Sequence, residues 1–177
     1  VRKRDGEGIH QMRVGLRRLR TAISIFKGIL RDQQSKHIKA ELHWLTEQLA
    51  PARDYDVFLK DSVPSKSQSQ LRQMAALHAV LLRQRDIGFT KARDAVASER
   101  YRRLALGVAL WLADGNWSRY PDRTRRRRRA RPAKELAREI LTKCTRKIVR
   151  KIKELETLDA AHRHKLRIAI KKLRYAA

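Results

Sequence analysis

The chain has 177 residues, 44 of them Lys or Arg and 18 Asp or Glu, for a formal charge of +26; 42% are hydrophobic, enough to fill the core of one domain or much of one. Seven Gly and four Pro speak against collagen-like and many-turned β architectures, and the single Cys144 excludes an intramolecular disulfide framework or a cysteine-rich zinc module. No apolar run nears the roughly 20 residues of a membrane span, and a charge of this size opposes compaction unless a polyanion neutralises it, so the leading partner class is rich in phosphate.

Taken in order, the periodicity predicts a first helix over about Ile9 to Leu30, with Ile9, Met12, Leu16, Leu19, Ile23, Phe26 and Leu30 at 3-4 spacing along one seam. A second helix is expected from about Ser35 to Ala50, with Ile38, Leu42, Leu45 and Leu49 on one side. Pro51 is expected to end it, leaving Ala52 to Leu59 as an irregular connector and Pro64 to Ser69 as a polar loop. A third helix is expected over about Gln70 to Ala97, its apolar positions including Leu71, Met74, Leu77, Leu81 and Val96. Ser98 is placed to cap a fourth, which ends near Ala113 before Asp114-Gly115-Asn116. Between Asn116 and Arg131 the chain carries the run Arg125 to Arg129, and mutual repulsion there predicts a mobile loop. Pro132 suits the first turn of a fifth helix reaching about Leu155, with Leu136, Ile140, Cys144, Ile148, Ile152 and Leu155 as its stripe. Asp159 caps a sixth.

No strand pattern of period two stands out, so the fold class is all-α, built of long antiparallel helices. The chain begins at Val1 and stops at Ala177 within a helical pattern, so both ends read as cuts in a longer protein. No signal-peptide apolar segment opens it, and the expected location is cytoplasmic.

The most informative feature is a repeat. The segment His10-Gln11-Met12-Arg13-Val14-Gly15-Leu16-Arg17-Arg18-Leu19-Arg20 returns as His164-Lys165-Leu166-Arg167-Ile168-Ala169-Ile170-Lys171-Lys172-Leu173-Arg174. At an offset of 154, ten of eleven positions keep their chemical class. Composition alone matches bases easily, but not the histidine, the apolar seam and the small residue between them, so the chain reads as two related halves. His10, Arg13, Arg17 and Arg20 line one face over about 15 Å, one residue and about 100° from the seam. His164, Arg167, Lys171 and Arg174 make the same line. Two such helices brought together would wall a groove with guanidinium and ammonium groups, suited to bidentate and point-charge phosphate contacts.

The two motifs resemble the CHAD domain, the conserved histidine α-helical domain. Supporting segments are Leu42 to Phe58, with Leu49-Ala50-Pro51-Ala52-Arg53-Asp54-Tyr55-Asp56-Val57, and Ser98 to Leu104. The resemblance spans nearly the whole chain. It implies two pseudo-symmetric helical bundles, no catalysis, binding of inorganic polyphosphate in a central basic channel, and association with polyphosphate granules. The halves are expected at about 1–115 and from about 132, around a basic loop at about 116–131. Because the family pattern continues into further helices, the second bundle is expected to be incomplete here.

Other basic lines follow from helical phase. Lys36, Lys39 and His43 lie 3-4 apart on the second helix; His78 and Arg85 are seven apart on the third; Lys143, Lys147 and Arg150 form a line on the fifth. With Arg18 and Lys172 these residues, His78 excepted, complete the expected polyphosphate-binding set. Arg53 is a further candidate contact, while Asp54 and Asp56 read as partners for a nearby base or as caps.

Metal binding is disfavoured: His162 and His164 diverge by about 160° on a helix, as do Glu41 and His43, and cations surround His10 and His164. No cofactor is expected, and no nucleophile triad, glycine-rich phosphate loop or paired-carboxylate motif is recognisable. Trp44 and Trp111 read as packing residues. Two alternatives stand beside the polyphosphate reading: a non-specific nucleic-acid-binding module resting on the arginine run, and a metal-dependent phosphohydrolase using histidines and acids brought together in space.

Overall fold

The structure is a computed structural model, described here over residues 5–30, 32–62, 74–119 and 122–174; every described element is helical and none is a strand. The expected loop at Pro64 to Ser69 and the start of the third helix, with Leu71, lie outside the described residues. No helix among the described residues is long and apolar enough to cross a membrane.

The chain forms two compact units, Val1–Arg17 with Lys36–Asp114, and Arg18–Ser35 with Gly115–Ala177. Helix α1, Gly6–Ile25, contributes to both. Asp5 caps it, its Oδ1 accepting the Glu7 amide at 3.0 Å. The predicted single helix to Leu30 is interrupted at Phe26 and resumes as α2, Lys27–Leu30; the Phe26 carbonyl still accepts the Leu30 amide at 3.0 Å, so the break is one irregular residue.

The long helix α3, Gln33–Ser62, which belongs to the first unit from Lys36 onward, corrects the expected stop at Pro51. Proline removes one amide from the helical ladder at a cost of about 3 kcal/mol. Burial on both sides of it offsets that cost: Ile38, Leu42, Leu45 and Leu49 before Pro51, Ala52 and Leu59 after it, are all buried. The segment 52–59 is therefore helix, not connector. The start also moves upstream of Ser35, because Asp32 caps the helix and its Oδ1 accepts the Ser35 amide at 2.5 Å while Ser35 Oγ accepts the Asp32 amide at 3.1 Å.

Helix α4, Ala75–Ala97, packs on α3 through small residues. A Cβ at Gly88 would lie 2.7 Å from the Ala52 backbone nitrogen. The buried face of α4 is Gly88, Phe89, Ala92 and Ala95, and Leu77, expected in the stripe, is 48% exposed. Ser98 joins α4 to α5, Glu99–Asp114, as expected: its Oγ donates to the Ala95 carbonyl at 2.6 Å and accepts the Tyr101 amide at 3.2 Å. Trp111 and Leu104 are the buried positions of α5.

In the second unit the described residues of the expected mobile loop are largely helical. They include α6, Asn116–Arg119, and α7, Arg123–Arg129. Asp122 caps α7 by accepting the Thr124 and Arg125 amides at 2.8 and 3.3 Å, and carboxylates pair two of its guanidiniums, Asp122 with Arg125 and Glu139 with Arg128. Helix α8, Ala133–Lys153, has Pro132 at its N-cap position, one residue before the first turn, and a short 3-10 turn, Leu155–Thr157, follows. Helix α9, Ala160–Arg174, packs against α8 and is capped by Asp159, whose Oδ1 accepts the His162 amide at 2.7 Å. On the α8 stripe Leu136 and Ile148 are buried, Ile140 and Cys144 half-buried, and Ile152 and Leu155 exposed.

Candidate functional site

In the first unit His10 and Arg13 are half-buried and Arg17 is exposed. Arg13 reaches from α1 to α3, its Nη2 lying 3.8 Å from Asp54 Oδ1, while its Nη1 is buried with no hydrogen-bond partner among the described residues. A second carboxylate organises the same corner. Asp56 is buried, with Arg53 Nη1 at 3.6 Å and Lys60 Nζ at 3.1 Å, and Gly6 rests on it so closely that a Cβ there would overlap the carboxylate. That places a negative charge at the N-terminal end of α1, where the helix dipole favours it. Asp54 and Asp56 thus do what the sequence suggested, pairing nearby bases, and Arg53 is engaged with Asp56.

The row Lys36, Lys39 and His43 turns away from the buried seam of α3: Lys36 and His43 are exposed, Lys39 is half-buried, and His43 Nε2 stands 3.6 Å from Glu47. Arg85 sits one turn before Gly88 and Phe89 on the inner side of α4, half-buried, 3.8 Å from Asp86, with its Nε buried and without a hydrogen bond among the described residues. His78 is half-buried.

In the second unit Arg18 is exposed and Arg20 half-buried. Lys143, Lys147 and Arg150 on α8 are exposed, as are His164, Arg167, Lys171, Lys172 and Arg174 on α9. The two copies of the motif therefore differ in environment: three of the first line are half-buried, and every member of the second is open.

Two anchors escaped sequence reasoning. Arg100 binds Glu41 through Nε at 2.6 Å and Nη2 at 2.8 Å and lies over Trp44, 4.0 Å from its ring centre. The Arg100 hydrogen bond holds the Glu41 carboxyl below its ordinary value. Glu139 on α8 accepts from Arg131 Nη1 at 2.5 Å and Arg128 Nη2 at 3.1 Å, and Arg131 first, then Arg128, keeps that carboxyl low. Both pairs join residues far apart in sequence or phase, with no local spacing to announce them. Among the described residues no three His, Cys, Asp or Glu side chains gather in a metal-binding group.

The family model of the CHAD domain matches residues 1–177. This chain belongs to the CHAD domain family. A solved relative, the crystal structure of the CHAD domain from the plant Ricinus communis, superposes with a TM-score of 0.76 at 29% identity and covers 98% of this chain. The CHAD chain here spans 55% of that relative's length. No curated protein matches the chain.

Proposed function

We propose that this CHAD domain binds inorganic polyphosphate without turning it over, through the histidine-headed basic rows of its helices. The observation that carries the reading is Arg13. Asp54 steadies it in a half-buried position, yet one guanidinium nitrogen lacks a hydrogen-bond partner among the described residues, the state of a group kept for an anion. The same sequence row recurs at His164, Arg167, Lys171 and Arg174, in open positions suited to neighbouring phosphates of a long chain. The flanking cations are Arg17, Lys36, Lys39, His43 and Arg85 in the first unit, and Arg18, Arg20, Lys143, Lys147, Arg150 and Lys172 in the second, and in each unit they add to the local positive field. A protein with these properties collects at polyphosphate granules.

Arg13→Ala and Arg167→Ala each remove a charge-assisted contact of roughly 1.5–3 kcal/mol. Calorimetric titration with long-chain polyphosphate is expected to show about a tenfold or greater loss for each, with helicity unchanged by circular dichroism. Full affinity in a folded double variant overturns the reading. Polyphosphate incubated with the protein and a divalent metal is expected to keep its length; shortening would make the protein a phosphohydrolase.

A further inference from the structure

Ten consecutive residues of α5, Leu104 to Ala113, carry no charge, in a chain where 35% of residues are charged. Leu104 and Trp111 are the buried positions of this helix. Its outer side is apolar as well. Leu106, Ala109, Leu110 and Ala113, spaced i, i+3, i+4 and i+7, share one face. All four are exposed, Leu106 by 66% and Leu110 by 68%. A contiguous exposed apolar face of this kind marks an interaction surface.

Other exposed apolar residues make no such face. Ile168 and Ile170 on α9 lie among Arg167, Lys171 and Lys172, so whatever covers them meets cations. On α5 the charges stand only at the ends, Arg102 and Arg103 before the uncharged stretch and Asp114 after it.

This arrangement selects the occupant. An acidic partner finds no cation along the stretch to answer its carboxylates. A helix that lies on a lipid surface carries Lys or Arg along its polar side, and Leu104 to Ala113 carries none. A second copy of this chain brings a net charge of +26 and is repelled by most of the surface, but here it meets a face as neutral as its own. Laid antiparallel about a two-fold axis near Val108, two α5 helices set Leu106 of each copy against Leu110 of the other. Ala109 and Ala113 let the helix axes approach closely, since the side chains at the contact set that distance. The same pairing carries Arg102 of each copy to the C-terminal end of the other α5, beside Asp114, where the helix dipole favours a cation. Arg102 is exposed and forms no ion pair among the described residues, whereas Glu99 holds Arg103 at 2.5 Å.

We propose that the outer face of α5 is a homodimer interface, formed by two antiparallel copies and separate from the polyphosphate-binding rows. A helix of 16 residues is about 24 Å long, which places the contact at the small end of specific interfaces and makes the dimer reversible. Two copies of like net charge repel, so salt strengthens this dimer: the screening length falls from about 10 Å at 0.1 M to about 3 Å at 1 M.

The test is sedimentation equilibrium on the 177-residue chain with no polyphosphate present. A monomer–dimer equilibrium is expected, with an association constant at least about threefold higher at about 1 M than at about 0.1 M sodium chloride. Leu106→Ser/Leu110→Ser is expected to lower that constant at least about tenfold, with circular dichroism unchanged because both side chains are exposed. Ile168→Ser, which removes an exposed apolar side chain from the second unit, is expected to dimerise like the unsubstituted chain. In a Cys144→Ser background, Ala109→Cys lies beside the axis and is expected to cross-link two copies on oxidation; Ala113→Cys, away from it, is expected to cross-link far less. A monomer at every concentration and salt, association that weakens with salt, a dimer that survives L106S/L110S or fails in I168S, or equal cross-linking at the two positions each overturn the proposal. So does binding of anionic vesicles that L106S/L110S abolishes, which gives the face to a lipid surface. Arg13→Ala is expected to dimerise normally, so failure of this interface and failure of the polyphosphate reading are separate results.

Discussion

Gly88 shows what one missing methyl group does. A Cβ there would sit 2.7 Å from the nitrogen and 2.9 Å from the Cα of Ala52, and 3.0 Å from the Pro51 carbonyl carbon. All three are backbone atoms of α3, which cannot swing aside as a side-chain tip does. Gly88→Ala is therefore expected to destabilise the first unit by about 1–3 kcal/mol through overpacking, despite alanine's better helix propensity. Gly107 has nothing within 4 Å of its Cβ position, so Gly107→Ala is expected to stabilise by about 0.5–1 kcal/mol. Urea unfolding of the two variants checks both signs; equal shifts would show that α3 and α4 are not in close backbone contact. Trp111, only 1% exposed, marks the opposite extreme of size, and Trp111→Ala is expected to cost about 3–5 kcal/mol.

Among the elements, caps decide where helices begin, and two of them make distinct predictions. Ser98 both closes α4 and opens α5, so Ser98→Ala is expected to cost about 1 kcal/mol, with faster hydrogen exchange at Tyr101, whose amide loses its acceptor. Unchanged exchange there would show that the cap contributes nothing. Asp159 adds pH dependence. The His162 amide first, then the His162 ring, holds its carboxyl below the ordinary value. A depressed carboxyl stabilises the folded state above the ordinary carboxylate range, and that contribution is lost as pH falls through the depressed value. The first turn of α9 is thus expected to loosen on acidification, seen as falling protection of the His162 amide. Asp159→Asn keeps a cap acceptor but cannot titrate, and is expected to flatten that dependence. A flat profile in the unsubstituted protein would remove Asp159 from the pH response.

At the scale of the molecule the charge of +26 sets the behaviour. Like charges on a compact chain repel, so a ligand that supplies negative charge stabilises the fold as well as occupying its site. Polyphosphate at a hundred times its dissociation constant is expected to add about 2.7 kcal/mol to the unfolding free energy, and to raise the melting temperature accordingly. Simple salt is expected to act in two directions: screening raises the denaturation midpoint of the free protein, and the same screening weakens polyphosphate binding. A melting temperature indifferent to polyphosphate would mean that the folded and unfolded chains bind it equally, as a featureless polycation does.

The sequence by itself determined the helical class, the seam of α3, the caps at Ser98 and Asp159, and the doubled histidine-headed row. Each is local, resting on a period of 3.6 or on one side chain bonding its own backbone. Tertiary structure alone decided the rest. Pro51 reads as a breaker over any short window, and only burial of Ala52 and Leu59 carries the helix through it. Leu77 looks like core and Gly88 does not, because apolar size counts in a pattern, whereas close helix approach selects for its absence. Repulsion along Arg125 to Arg129 predicts disorder if the run is alone; Asp122 and Glu139 supply the opposite charges that let it fold as a helix. The two histidine rows are near twins in sequence, yet one is partly buried and the other open, because exposure belongs to what packs against a helix and is not written in the helix itself.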